Sequence, residues 1–202
     1  MSLPVSKLKA GIFVHGVPLA WPHERAWRDA LEGFAEPARF TTAVYQAEVA
    51  GRARLDGAVS ADPDAPRLVQ ALVGRGLPMA VASSSKNADQ MMAPICLASG
   101  ERLLGAFSAH IRGRDLAAGE PAPDIFLFAA RALGVAPHAC FVAEDATAGI
   151  EAAGVADMTA LGVARRGDAD PLHRADANLV VATLDDIDIN ALTEGRLCRS
   201  VT

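Results

Sequence analysis

Short β-prone runs alternate along this chain with stretches of helical periodicity, the pattern of βαβ units that lay helices on a mostly parallel sheet. Five runs are expected as strands: residues 10–14, 78–82, 140–143, 157–163 and 178–181. Between them the apolar residues recur at helical spacing. Leu68, Val69, Leu72 and Val73 form one face that ends near Gly76. Ile125, Phe128, Ala129, Ala132 and Leu133 form another, opened by Pro123 and closed by Gly134, and a third helix is expected from about Ala146 to Ala153, stopping at Gly154.

Residues 22–57 differ in kind. Trp27, Leu31 and Phe34 follow the i, i+4, i+7 spacing, and Tyr45 and Val49 repeat it, so two helices are expected with no strand between them. The predicted organisation is an α/β core of residues 1–20 and 58–202, with a small helical cap, residues 21–57, inserted after the first strand. The proline- and aspartate-bearing stretch 60–66 reads as the hinge back to the core.

With 202 residues, 51% hydrophobic and 21% charged, the chain has the apolar surface for a core and too little charge for disorder. Nineteen basic against 24 acidic residues, a net charge of −5, lack the basic excess of a nucleic-acid surface or a polybasic membrane anchor. No apolar stretch approaches the roughly 18 residues of a bilayer span. Lys7 and Lys9 precede an apolar run, but His15 and Pro18 interrupt it, so a first strand is expected there rather than a secretory leader. Cys96, Cys140 and Cys198 are odd in number and scattered, which predicts no disulfides, no zinc ribbon and a reducing, cytoplasmic setting.

Ligands of open parallel sheets bind beyond the carboxyl ends of the strands, so four loops carry the functional expectation. Ser83, Ser84, Lys86 and Asn87 follow the second predicted strand at a helix start, where hydroxyls, backbone N–H groups, an ammonium and an amide suit a phosphate; serines there are also ordinary helix caps. Glu144 and Asp145 follow the strand 140–143; paired carboxylates can hold Mg²⁺, and acids equally favour a helix N-terminus. Glu120 precedes Pro121 and the helix opened by Pro123. The first strand ends in Val14-His15-Gly16-Val17, where His15 alone has acid, base or nucleophile chemistry near neutral pH and otherwise reads as a loop histidine.

Taken in order, these segments resemble the haloacid dehalogenase superfamily, in particular its β-phosphoglucomutase-like phosphatases and phosphomutases. Residues 10–13 resemble the family's first strand, 23–27 the start of its helical cap, 51–57 the end of that cap, and 81–88 its second motif. The most specific are Gly-x-Pro-Ala-Pro-Asp-x-Phe at 119–126 and Glu-Asp-x-x-Ala-Gly-Ile-Glu-Ala-Ala at 144–153. The resemblance implies a Rossmann-like sheet and phosphate-ester chemistry on a small phosphorylated metabolite. An aspartate ending the first strand attacks phosphorus, and a second aspartate two residues on serves as acid and base. A lysine of the third motif neutralises charge. Mg²⁺ sits on the nucleophile, a loop carbonyl and the acidic pair. By position it makes Ser83 the phosphate-binding hydroxyl, Lys86 and Asn87 auxiliary contacts, and Glu144 and Asp145 metal carboxylates.

Two departures stand out. Val14-His15-Gly16-Val17 replaces the family's Asp-x-Asp-Gly-Val, removing both catalytic carboxylates, and Glu120 replaces the lysine. The losses are related, since that lysine faces the nucleophile and a buried ammonium without its anion costs several kcal/mol. Mg²⁺ binding is correspondingly weakened. Three functional classes follow: a family hydrolase with impaired chemistry, a non-catalytic module that binds a phosphorylated metabolite or a partner protein, or an enzyme in which His15 takes the phosphoryl group or Glu120, Glu144 and Asp145 gather a metal that activates water.

Overall fold

Ala10–Val14 forms β1, and every one of its residues is buried. A strand apolar at consecutive positions has to be covered on both faces, and this one is. A computed structural model describes residues 7–14, 17, 62–83, 88–112, 121–165 and 169–200. The expected cap at 21–57 lies outside the described residues, as do His15, Ser84, Lys86, Asn87 and Glu120.

After β1 the described elements run α1 (Asp64–Val73), β2 (Met79–Ser83), α2 (Ala88–Met92), β3 (Ala109–Arg112), α3 (Asp124–Leu133), β4 (Cys140–Glu144), α4 (Thr147–Val155), β5 (Thr159–Val163), α5 (Ala169–Arg174), β6 (Leu179–Val181) and α6 (Ile189–Thr193). The six strands form one sheet in the order β3-β2-β1-β4-β5-β6, and every neighbouring pair is parallel. The chain builds outward from β1 through β2 to β3, then crosses to β4 and builds the other way. The order therefore reverses between β1 and β4, where doubly wound sheets open a crevice at their carboxyl edge.

Alternate residues of β1 enter two separate cores. Phe13 joins Leu68, Val69 and Leu72 of α1 and Leu192 of α6 on one side. Ala10, Ile12 and Val14 join Phe126 and Ala129 of α3 and Ile150 and Ala153 of α4 on the other. The Phe13 ring meets those of Phe141 and Phe107 edge-on, at centroid distances of 5.8 and 5.9 Å. Gly11 lies beneath the first of them: a β-carbon there would fall 2.7 Å from Phe141 Cζ, so the close approach requires glycine.

The structure corrects several boundaries. A sixth strand, β3, takes the sheet's edge beside β2. Residues 157–158 are not strand: Asp157 sits at φ 59°, and the Asp157 and Met158 N–H groups donate to the carbonyls of Gly154 and Ala153 to close α4. That left-handed residue, not Gly154, ends the helix, which runs through Gly154 to Val155. The hinge expected at 60–66 is shorter at its far end, because α1 has begun by Asp64. Val73 is 42% exposed rather than facing inward, and α3 buries Ile125, Phe126, Ala129 and Ala130 while Phe128 stands 48% exposed. Small Ala129 and Ala130 let α3 lie close on the sheet, and that contact sets the helix's rotation. Gly134, at φ 67°, ends α3 as expected.

Candidate functional site

Three neighbouring strands, β2, β1 and β4, end in Ser83, Val14 and Glu144. In register, Val14 is opposite Ala82 on one side, and Phe13 is opposite Ala143 on the other, so the three termini come level at the switch point. Val14 is 8% exposed, and its side chain belongs to the α3–α4 core. Ser83 is buried at the end of β2, and α2 begins five residues later at Ala88. By the alternation of its strand Ser83 shares a face with Met79 and Val81, opposite to that of Val14 and Glu144.

Glu144 is the last residue of β4 rather than the first of the loop, and it is fully buried. Its Oε1 accepts hydrogen bonds from the backbone N–H groups of Asp145 and Ala146, each at 2.9 Å. These N–H groups open α4, so the carboxylate occupies the positive end of that helix. Its carboxyl group lies directly over Gly149, where a β-carbon would come within 2.1 Å of Oε2. Glycine in the first turn of α4 thus makes the room for Glu144. Asp145, next along, is half-buried.

A second polar cluster at the same edge of the sheet escaped the sequence reading. Asp64 opens α1, with its side chain 5% exposed. Its Oδ2 accepts from Arg165 Nη1 at 2.6 Å and from Thr183 Oγ1 and the Leu184 N–H, both at 2.8 Å. Arg165 follows β5, and its Nε lies 2.9 Å from Asp62 Oδ2 as a charge contact rather than an aligned hydrogen bond. Burial pushes the Asp64 carboxyl up, but the hydrogen bonds from Arg165, Leu184 and Thr183 outweigh it and leave it below its usual range. Burial, with Asp64 close by, holds Asp62 above its usual range despite Arg165. The only signal in the sequence is that Asp64 and Arg165 stand near predicted element ends at the carboxyl edge of the sheet.

The profile of the haloacid dehalogenase-like hydrolases matches residues 12–157, most of this chain, from β1 to the close of α4. The chain belongs to that family. Within it the likeness is to the β-phosphoglucomutase-like subgroup: it is 37% identical over 132 residues to β-phosphoglucomutase of Bacillus subtilis, covering 65% of this chain and 54% of that one. Over 126 residues it is 37% identical to the β-phosphoglucomutase of Mycobacterium tuberculosis, covering 60% and 47%. The chain thus spans about half the length of these relatives. The crystal structure of β-phosphoglucomutase from Clostridium difficile shares the fold with a TM-score of 0.69 at 23% identity, covering 93% of this chain and 96% of that one. A haloacid dehalogenase family hydrolase from Deinococcus radiodurans, solved with bound phosphate and sodium, gives 0.69 at 22%, covering 89% and 93%.

Family members generally use Mg²⁺, and the residues at this edge can be tested against that ion. Val14 offers no oxygen from its side chain, and Oε1 of Glu144 is committed to two N–H groups. Among the described residues no three His, Cys, Asp or Glu side chains converge. Asp145 is half-buried next along the chain, but by themselves the described residues do not fit a hard cation that wants several oxygens at octahedral spacing. Among them, too, no helix is long and apolar enough to cross a membrane, and all three cysteines are free thiols.

Proposed function

We propose that this chain is a haloacid dehalogenase-like hydrolase whose phosphoryl-transfer chemistry is impaired, and whose carboxyl edge retains the recognition of a small phosphorylated metabolite. The observation that carries the reading is Val14. A buried, apolar side chain stands at the tip of β1, between Ser83 and Glu144, where the family's nucleophilic carboxylate belongs. Valine has no lone pair with which to attack phosphorus, so a covalent aspartyl-phosphate has no residue on which to form there. Glu120, in place of the third-motif lysine, removes the cation that would balance that phosphate.

Recognition is assigned to Ser83, with Ser84, Lys86 and Asn87 supplying hydroxyls, charge and an amide ahead of α2. The sugar-phosphate class rests on the relatives, which include hexitol phosphatase A and fructose-1-phosphate phosphatase of Escherichia coli beside the β-phosphoglucomutases. Glu144 and Asp145 are the carboxylates left to meet a cation carried in by such a ligand. The second reading, a module with no catalysis at all, follows from the same valine.

Phosphate release from p-nitrophenyl phosphate with Mg²⁺ separates the readings when the parent is compared with His15→Ala. Turnover far below that of a family phosphatase, unchanged in His15→Ala, is expected. Turnover abolished by His15→Ala instead assigns the chemistry to the histidine, and rapid Mg²⁺-dependent release or a trapped acyl-phosphate refutes impairment. Binding is read separately by thermal shift with inorganic phosphate: at 100 times Kd the folded state gains roughly 2.7 kcal/mol, or about 5–10 °C, and Ser83→Ala removes the gain.

A further inference from the structure

The Arg165 guanidinium makes three contacts to parts of the chain that are distant in sequence. Nη1 pairs with Asp64 at 2.6 Å, Nε lies 2.9 Å from Asp62, and Nη2 donates to the Val17 carbonyl at 3.1 Å. Val17 in turn donates its N–H to the Val14 carbonyl at 2.9 Å, so the chain of contacts ends on the last residue of β1. Val17 and Asp62 are the described residues that flank positions 18–61. One side chain therefore ties the described residue after β1, Val17, to the residues that lead into α1, Asp62 and Asp64.

We propose that Arg165 is a positioning residue: it fixes Val17, just after β1, and the start of α1 by holding the Val17 carbonyl and the Asp62 and Asp64 carboxylates to the carboxyl end of β5. Three features carry this. The geometry uses the guanidinium's separate donors in different directions, which an ammonium on a flexible stem cannot reproduce. The anchor is fixed, because Asp64 Oδ2 is also held by Thr183 Oγ1 and the Leu184 N–H beyond β6, and the Ala164 N–H donates to the Val181 carbonyl at 2.8 Å. The cluster is enclosed, with Arg165 at 19% and Asp64 at 5% side-chain exposure, so its charges are weakly screened and must be answered locally. The role concerns the scaffold of the site and does not depend on what the site binds.

Hydrogen exchange by mass spectrometry on the full chain, with no ligand present, tests it. In Arg165→Met, peptides covering 10–17 and 62–68 should exchange about tenfold faster together, with peptides of α3 at 124–133 unchanged. Thr183→Val removes one bond to Asp64 and leaves the guanidinium's contacts, so it should loosen 62–68 and spare 10–17. Arg165→Lys, which keeps a charge for Asp64, should still loosen 10–17. Faster exchange confined to 62–68 in Arg165→Met, or spread evenly over all peptides, overturns the proposal. Should that variant not fold, protection of 10–17 at the parent's level in Arg165→Lys overturns it equally.

Discussion

Gly149→Ala places the strongest demand on the described geometry, because a methyl group there would occupy the space filled by Glu144. The added carbon falls 2.1 Å from Oε2, 2.3 Å from Cδ and 2.6 Å from Cγ, whereas ordinary contact begins at 3.4 Å. The carboxylate must retreat by about 1.3 Å, a distance that breaks both 2.9 Å hydrogen bonds from Asp145 and Ala146. Overpacking costs about 1–3 kcal/mol, and each bond to a charged acceptor contributes about 1.5–3 kcal/mol. Against this, alanine gains about 1 kcal/mol over glycine in a helix, and a displaced carboxylate regains some hydration. The net expectation is a loss of about 2–4 kcal/mol, which for a chain of this size lowers Tm by roughly 5–15 °C. Gly154→Ala, in the same helix with nothing within 4 Å, is the internal control and should raise stability by up to about 1 kcal/mol. Thermal and urea unfolding of both variants, and of Gly149→Ala in a Glu144→Ala background, complete the test. The clash is relieved in that background, so the glycine substitution should no longer cost stability. A Gly149→Ala chain as stable as Gly154→Ala, or an undiminished penalty without Glu144, refutes the account of this corner of the site.

Two further outcomes are expected. Asp64, held below its usual 3.8, contributes stability that is fully present above that pH and lost as pH falls through its folded value, while Asp62, held above 3.8, works in the opposite sense. Urea titrations from pH 7 to 3 should therefore show Asp64→Ala about 3–5 kcal/mol less stable at neutral pH, with the gap to the parent narrowing below pH 3.8; a gap independent of pH contradicts the ion pair. Burial pushes the Cys140 thiol up to about 11 and Cys96 is exposed, so iodoacetamide at pH 8 should modify Cys96 in the folded chain and leave Cys140 intact until it unfolds.

The parts legible in the sequence are those fixed by local pattern. β1, β4 and the core of β5 are runs so apolar that a doubly covered sheet is their natural setting, and the ends of α3 are marked by Pro123 and Gly134. β3, Ala-His-Ile-Arg, carries no such run because an edge strand needs less apolar surface, and it is recognised only through its pairing with β2. The rotation of α3 was underdetermined for a related reason: Ile125, Phe126, Leu127 and Phe128 are consecutively apolar, and two aromatic residues compete for the inner face. In the site, the apolar residue at the tip of β1, Val14, is plain from sequence. The inward turn of Glu144 is not, since it depends on Gly149 and the N–H groups of a helix not yet formed. Nor is the pairing of Arg165 with Asp64, 101 positions apart, which only the closed sheet brings together.

The strand order also carries a consequence for assembly. Ala10 pairs with Cys140 on one side, while the opposite flank of β1 is completed by β2 near position 79. As the polypeptide grows from a ribosome, the first strand can therefore acquire one neighbour early, from position 79, but its second arrives only when position 140 has been synthesised. Until then the backbone edge that will face β4 has to be shielded by other means, and the tip bearing Val14 has no finished wall. Contacts of such long sequence separation are slow to close. The β1–β4 seam at the switch point is thus sealed only after the β1–β2–β3 half is available, and β5 and β6 can add only once it exists.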